Sequence, residues 1–151
     1  MAVACLPRMR DSALCSHLMP ISFQPAPGTI LQCDFRGYVL PEIVKHRQVV
    51  VLWKHKTVAK LVYVVPLSTT PPHVPELAHP LATLPLPRPG QDPDTPIWIK
   101  CDVVNTVSTD RLTMPVNRAS RRTAASPINI HISAADLTAV RALVVKALRL
   151  A

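Results

Sequence analysis

Apolar positions along this chain come in short runs separated by prolines and charges, and the period within the runs changes only near the C-terminus. Thr29-Ile30-Leu31-Gln32-Cys33-Asp34-Phe35 has strand composition, and Arg36-Gly37 breaks it. Gln48-Val49-Val50-Val51-Leu52-Trp53 is apolar without alternation, the pattern of a strand buried on both faces. Lys54-His55-Lys56 marks a turn, and a third strand is predicted over about 60–67, rich in β-branched and aromatic residues. Within it Pro66 has no N–H to give a ladder, so regular pairing is expected to fail there. Residues 97–104 (Ile-Trp-Ile-Lys-Cys-Asp-Val-Val) form the next predicted strand, whose alternation puts Trp98, Lys100 and Asp102 on one face. Only the last segment turns helical. Ser133 is placed to cap it, with Asp136 three residues on, and Leu137, Val140, Leu143, Val144, Ala147 and Leu148 recur at helical spacing. Thr138, Arg141 and Arg149 occupy another face. The expected class is mainly β with a C-terminal helix, the helix covering an open side of the barrel or sheet.

Composition adds three constraints. Length of 151 residues allows one domain with one sizeable core. Seventeen prolines against three glycines suit short strands joined by stiff loops and argue against long helices in the middle of the chain. Nine of those prolines fall in 71–96, predicted to be a long ordered excursion with an edge strand around Glu76 to Leu84. Residues 1–26 show no sustained period and are expected to form a disordered or loosely attached extension, leaving 27–151 as the domain. Met9 and Met19 compete with Met1 as the start.

A net charge of +8 favours a polyanionic partner. Lys45, Arg47, Lys54, Lys56 and Lys60 lie between Ile43 and Lys60 with no acid among them, and Arg118, Arg121 and Arg122 mark a second basic loop. No apolar run is long enough to span a membrane, and Arg8, Arg10, Asp11 and His17 interrupt any signal-peptide core, so a soluble cytoplasmic protein is expected. Cys5, Cys15, Cys33 and Cys101 have no CxxC or zinc spacing, and the latter two sit in strands as small core residues. The three glycines form no phosphate-binding loop, and the histidines reach no carboxylate or Cys at ligand spacing, so neither cofactor nor metal is expected.

What remains suits metal-free chemistry on a phosphodiester. RNA carries its own nucleophile, the 2′-OH, so cleavage needs a base for that proton, an acid for the leaving 5′-oxygen, and donors for the phosphorane. Asp102 is a candidate base, Lys100 or Arg47 the acid or anion stabiliser, and Ser68 and Thr69 hydrogen-bond donors to phosphate. Taken alone, Ser68-Thr69-Thr70 at a strand end before Pro71-Pro72 fits turn stabilisation better than a site.

Four ordered motifs resemble the PemK/MazF toxins of type II toxin–antitoxin systems, across roughly 27–150. They are Pro27 to Phe35; Glu42 with Lys45-His46-Arg47-Gln48-Val49-Val50-Val51-Leu52; Val65-Pro66-Leu67-Ser68-Thr69; and Trp98-Ile99-Lys100-Cys101-Asp102 with Thr106 downstream. The resemblance implies a small SH3-like β-barrel with a C-terminal helix, a homodimer, single-stranded RNA as substrate cut without metal, and an antitoxin partner whose acidic or apolar tail fills the RNA groove. Carried across by position, it makes Arg47 the catalytic arginine, Asp102 the base, and Ser68 and Thr69 the hydroxyl pair, with Lys100 sharing the acid or stabiliser role. Glu42 matches an acidic residue five positions before Arg47, and Lys45, His46, Thr70 and Thr106 fall among the substrate-binding candidates. The chain departs from the family at Gln48, where Pro is usual, and at Lys100, where PemK-type members have Arg; Lys keeps the charge without the bidentate fork. The alternative is a non-catalytic RNA- or DNA-binding module of the same fold.

Overall fold

The computed structural model describes residues 19–83, 85–86, 91–117 and 126–150. Three long antiparallel strands form its centre: β1 (Thr29–Cys33), β2 (Arg47–Lys54) and β3 (Leu61–Ser68). Each outer strand of this trio serves two partners in succession. Along β3, β6 (Asn105–Ser108) takes Leu61 to Val64, and β5 (Ile97–Lys100) takes Leu67 and Ser68. Along β1, β10 (Ile130–His131) takes Thr29 and Ile30, and β7 (Leu112–Thr113) takes Gln32 and Cys33. β4 (Ala78–Leu81) lines the far edge of β5 as the expected edge strand, with Pro80 in it, and β8 (Val116–Asn117) pairs β9 (Ser126–Pro127) apart from the main sheet.

The expected failure of pairing at Pro66 does not occur. β3 continues through Pro66, opposite Val49, to Ser68. Val65 and Pro66 fall where the outer edge passes from β6 to β5, so the missing N–H costs that edge no ladder bond.

Because β2 and β3 are apolar on both faces, they separate two cores. Val50, Leu52, Val65 and Leu67 pack with Ile97, Ile99 and Cys101 against Val140 and Val144 of the helix α1 (Ala134–Ala147). Val49, Val51, Val62 and Val64 face the other way, onto Leu31, Cys33, Phe35, Val107 and Leu112 inside the curl of the sheet. The curl is completed by chain and not by a ladder. β6 runs through a 3-10 turn at Thr109–Arg111 into β7, which carries the chain from the β3 edge to the β1 edge. Thr109 N–H bonds Lys60 O at 2.8 Å, and Asp34 N–H bonds Arg111 O at 2.9 Å, pinning the turn at both ends. The expected barrel is therefore a curled sheet without hydrogen-bonded closure among the described residues.

Of the expected N-terminal extension, residues 1–18 lie outside the described part. Pro20 bridges Thr113, Ile21 N–H bonds Leu112 O at 2.9 Å, and the Ile21 side chain enters the inner core, so the folded unit takes in residues before 27. Cys33 and Cys101 are buried free thiols, and burial pushes them up to about 12 and about 11, which keeps both protonated. No helix among the described residues is long and apolar enough to cross a membrane.

Ser133 caps α1 as predicted: its hydroxyl accepts from Asp136 N–H at 3.0 Å and donates to the Asp136 carboxylate at 2.6 Å. His79 of β4 meets the same carboxylate at 2.8 Å, tying the edge strand to the helix start. Hydrogen bonds from Ser133 and then His79 hold the Asp136 carboxyl below its ordinary range. Two helix residues differ from their expected setting. Leu148 is exposed, and Arg141, placed on a face apart from the apolar one, turns back onto the sheet. A bulge in β2 leaves Leu52 between the pairs Val51↔Val64 and Trp53↔Tyr63, and Arg141 Nε and Nη2 both donate to Leu52 O, at 3.2 and 2.5 Å. The same guanidinium stacks over Trp53 at 5.2 Å. Arg141→Met keeps the aliphatic stem but strands that carbonyl and removes the cation–π contact, and should cost about 1–3 kcal/mol in urea unfolding. A loss well under half a kcal/mol would show that water serves the bulge equally well.

Candidate nucleic-acid interface and active site

The polar candidates emerge where β2 begins, at the rim of the inner core where β2, β3 and β5 lie side by side. The β2–β3 register runs Val51↔Val64, Val50↔Val65, Val49↔Pro66; continued one pleat further, it sets Arg47 level with Ser68. β3 and β5 pair Ser68↔Trp98 and Leu67↔Ile99, which sets Lys100 beside Pro66. Arg47, Ser68 and Trp98 thus form a row across three adjacent strands, with Lys100 one pleat behind, all on the face turned away from α1. β2 and β5 flank β3 at roughly 10 Å, two strand spacings, a gap that the long Arg47 and Lys100 side chains can bridge around one phosphate. Arg47 is exposed, while Ser68, Trp98 and Lys100 are half-buried.

Ser68 has both of its expected uses available. Its Oγ accepts the Thr70 N–H at 3.1 Å, a local turn bond, and the hydroxyl proton remains free to donate to a ligand. Thr69 and Thr70 follow in the exposed loop. Asp102 is not on the pleated face with Trp98 and Lys100, because β5 stops at Lys100 and the chain turns, Val103 N–H bonding Lys100 O at 3.3 Å. That excursion, residues 101–104, lies along the edge of β3 between β5 and β6, with Cys101 buried and Asp102 exposed. Asp102 therefore stands next to Lys100 on a turn.

The register does not bring Thr106 to this end. It pairs Tyr63, five residues before Ser68 along β3, roughly 16 Å away at strand rise, and on the opposite pleat. Glu42 has local work: its carboxylate accepts Val39 N–H and its own N–H bonds Val39 O, both at 2.8 Å, which closes the turn at the loop tip. Lys45 and His46 are exposed on the descending arm of the loop and lead into Arg47.

Sequence reasoning missed the groups that fix this loop. Arg36 grips the Asp34 carboxylate with Nε and Nη2, the shortest contact 2.6 Å, and His46 Nε2 lies 3.4 Å from Asp34 Oδ1. Asp34 thus touches both arms of the β1–β2 loop. The signal was present as an acid two residues before a cation at a strand end, but it reads equally as a solvated pair. Gln48, at the family's Pro position, sends Nε2 to Leu86 O at 3.4 Å while its buried Oε1 lacks a partner among the described residues, so it reaches toward the proline-rich excursion. Trp98, noted only for its face, joins the row itself. Among the described residues no three His, Cys, Asp or Glu side chains group to hold a metal ion.

A small curled antiparallel sheet with one C-terminal helix, carrying a cationic and hydroxyl row at one end, is the class these features define. The chain belongs to the PemK-like, MazF-like toxins of type II toxin–antitoxin systems, whose family model matches residues 26–145. Among solved structures, an endoribonuclease in complex with its cognate antitoxin from a mycobacterial species is similar in fold, with a TM-score of 0.51 and 15% identity over 84% of this chain and 97% of that one. The Mycobacterium tuberculosis toxin MazF-mt6 matches with a TM-score of 0.48 and 18% identity, over 80% of this chain and 96% of that one. No curated protein sequence matches the chain.

Hydrogen bonds from the Arg36 side chain, the largest influence, hold the Asp34 carboxyl down at about 2. A carboxyl depressed in the folded state stabilises fully above its unfolded pKa of about 3.9 and loses that contribution as pH falls toward the folded value. Asp34→Asn should therefore destabilise the protein near neutral pH, with the difference from wild type shrinking between about pH 4 and about pH 2. Urea unfolding at a series of pH values measures this; a difference that stays constant through that window would contradict the pairing.

Proposed function

We propose that this toxin is a metal-independent endoribonuclease acting on single-stranded RNA, and the observation that carries the proposal is the row Arg47–Ser68–Trp98 with Lys100 behind it. A phosphodiester laid across β3 has guanidinium on one side, ammonium on the other and hydroxyl donors beneath. Asp102 takes the 2′-OH proton, the 2′-oxygen attacks phosphorus, and the 5′-oxygen leaves with a proton from Arg47 or Lys100. Charge developing on the phosphorane is met by Arg47, Lys100, Ser68 and Thr69. The products are a 2′,3′-cyclic phosphate and a 5′-hydroxyl. Lys100 supplies a point charge and no fork, which leaves the bidentate role to Arg47.

The same surface suits a protein partner. An antitoxin tail occupies the groove that RNA would use, an acidic one by pairing with the cations of this +8 chain and an apolar one by packing along it. The working form is a homodimer in the cell interior, where messenger RNA is available.

Purified protein in EDTA should cleave single-stranded RNA to cyclic-phosphate and 5′-hydroxyl ends. Arg47→Ala should lower the rate by roughly 10²–10³-fold, the scale of removing one transition-state donor. Thr106→Ala should stay within about twofold of wild type, as a residue off the site end. A requirement for Mg²⁺, or an undiminished Arg47→Ala, would sink the mechanism. Salt-sensitive binding without products would favour the non-catalytic module.

A further inference from the structure

The 3-10 turn that closes the curl also holds the loop that delivers Arg47. Arg111 Nη1 donates to two backbone carbonyls on the ascending arm, Asp34 O at 3.0 Å and Arg36 O at 2.9 Å. Its guanidinium lies over the Tyr38 ring at 5.1 Å, and Tyr38 packs on the buried Phe35 with ring centres 5.6 Å apart. Arg111 O in turn accepts Asp34 N–H. A single side chain thereby fixes residues 34, 36 and 38, the whole neck of the loop on one side. Asp34, held from above by Arg111, reaches across to His46, the residue before Arg47, and the Cys33↔Arg47 ladder pair shuts the neck below.

We infer that Arg111 is a positioning residue for the cleavage site: it acts on Arg47 through the loop neck without touching RNA. This rests on the ribonuclease reading above. The geometry favours Arg over any other side chain here, since one Nη nitrogen donates to two carbonyls while the guanidinium plane covers a ring face. Asp110, next to Arg111 on the same turn, pairs with Lys60 before β3 only on the surface, at 3.3 Å and both well exposed, and that pair provides a neighbouring change that leaves the neck alone.

The test compares wild type, Arg111→Lys, Arg111→Met and Lys60→Ala, each at a fixed interval below its own melting temperature. Two readouts are taken: cleavage of single-stranded RNA resolved into kcat and KM, and amide hydrogen exchange by mass spectrometry across 36–46 and across β2–β3. Arg111→Met should exchange faster across 36–46 with β2–β3 unchanged, and should lose roughly 10- to 100-fold in kcat, the scale of displacing a group that must be aimed. Arg111→Lys should recover part of both, and Lys60→Ala should match wild type. Unchanged exchange in the loop, or faster exchange with unchanged kcat, would overturn the inference. So would a loss confined to KM. If Arg111→Met fails to fold, the comparison of Arg111→Lys with wild type decides on the same two readouts. If wild type itself does not cleave, the ribonuclease reading falls, and loop exchange alone decides whether Arg111 is the clamp.

Discussion

Everything in this fold depends on two central strands that are apolar on both faces. Val49 to Leu52 and Val64 to Leu67 leave no side to water, so burying one face against α1 leaves the other exposed unless the sheet curls over on itself. A chain of this size meets both demands by splitting the partners of β1 and β3 in two. One set of short strands extends the sheet under the helix, and the other bends round to close the inner core. The 3-10 turn at Thr109–Arg111 is the hinge of that bend, and this explains why one residue in it comes to hold a functional loop.

The site follows from where the inner core stops. Along β2 and β3 the apolar residues of this face stop at Val49 and Pro66, and the next residues on it are Arg47 and Ser68, with Trp98 beside them on β5. Polar groups at the rim of a packed core are held by rigid strands yet remain open to a ligand, which is what anion recognition needs. The loop above them is steadied from two sides, by Glu42 closing its tip and by Asp34 and Arg111 closing its neck.

Much of this was legible in the residues. The unbroken run Gln48 to Trp53 announced a doubly buried strand, and Ser133 with Asp136 announced the helix start. Pro66 misled because a proline was expected to end the strand, when the edge partner simply changes there. Strict alternation carried Asp102 onto the pleated face, and a turn after Lys100 took it off. Thr106 follows Asp102 in sequence but lies on β6 opposite the wrong half of β3, a distinction that only register supplies. Arg111 and Arg141 gave no signal of their roles because their partners are backbone carbonyls 75 and 89 residues away, and carbonyls leave no mark in a sequence.

The central claim is spatial: phosphate is held across β2, β3 and β5 at the rim of the inner core. It is tested most directly by amide NMR of the protein titrated with a single-stranded oligonucleotide whose 2′-hydroxyls are replaced by hydrogen, so that it binds without being cut. Shifts should concentrate at Arg47, Ser68 to Thr70 and Trp98 to Asp102, with Thr106 and α1 unmoved. Shifts centred on β6 or on the helix, with the Arg47–Ser68–Trp98 row silent, would contradict the account.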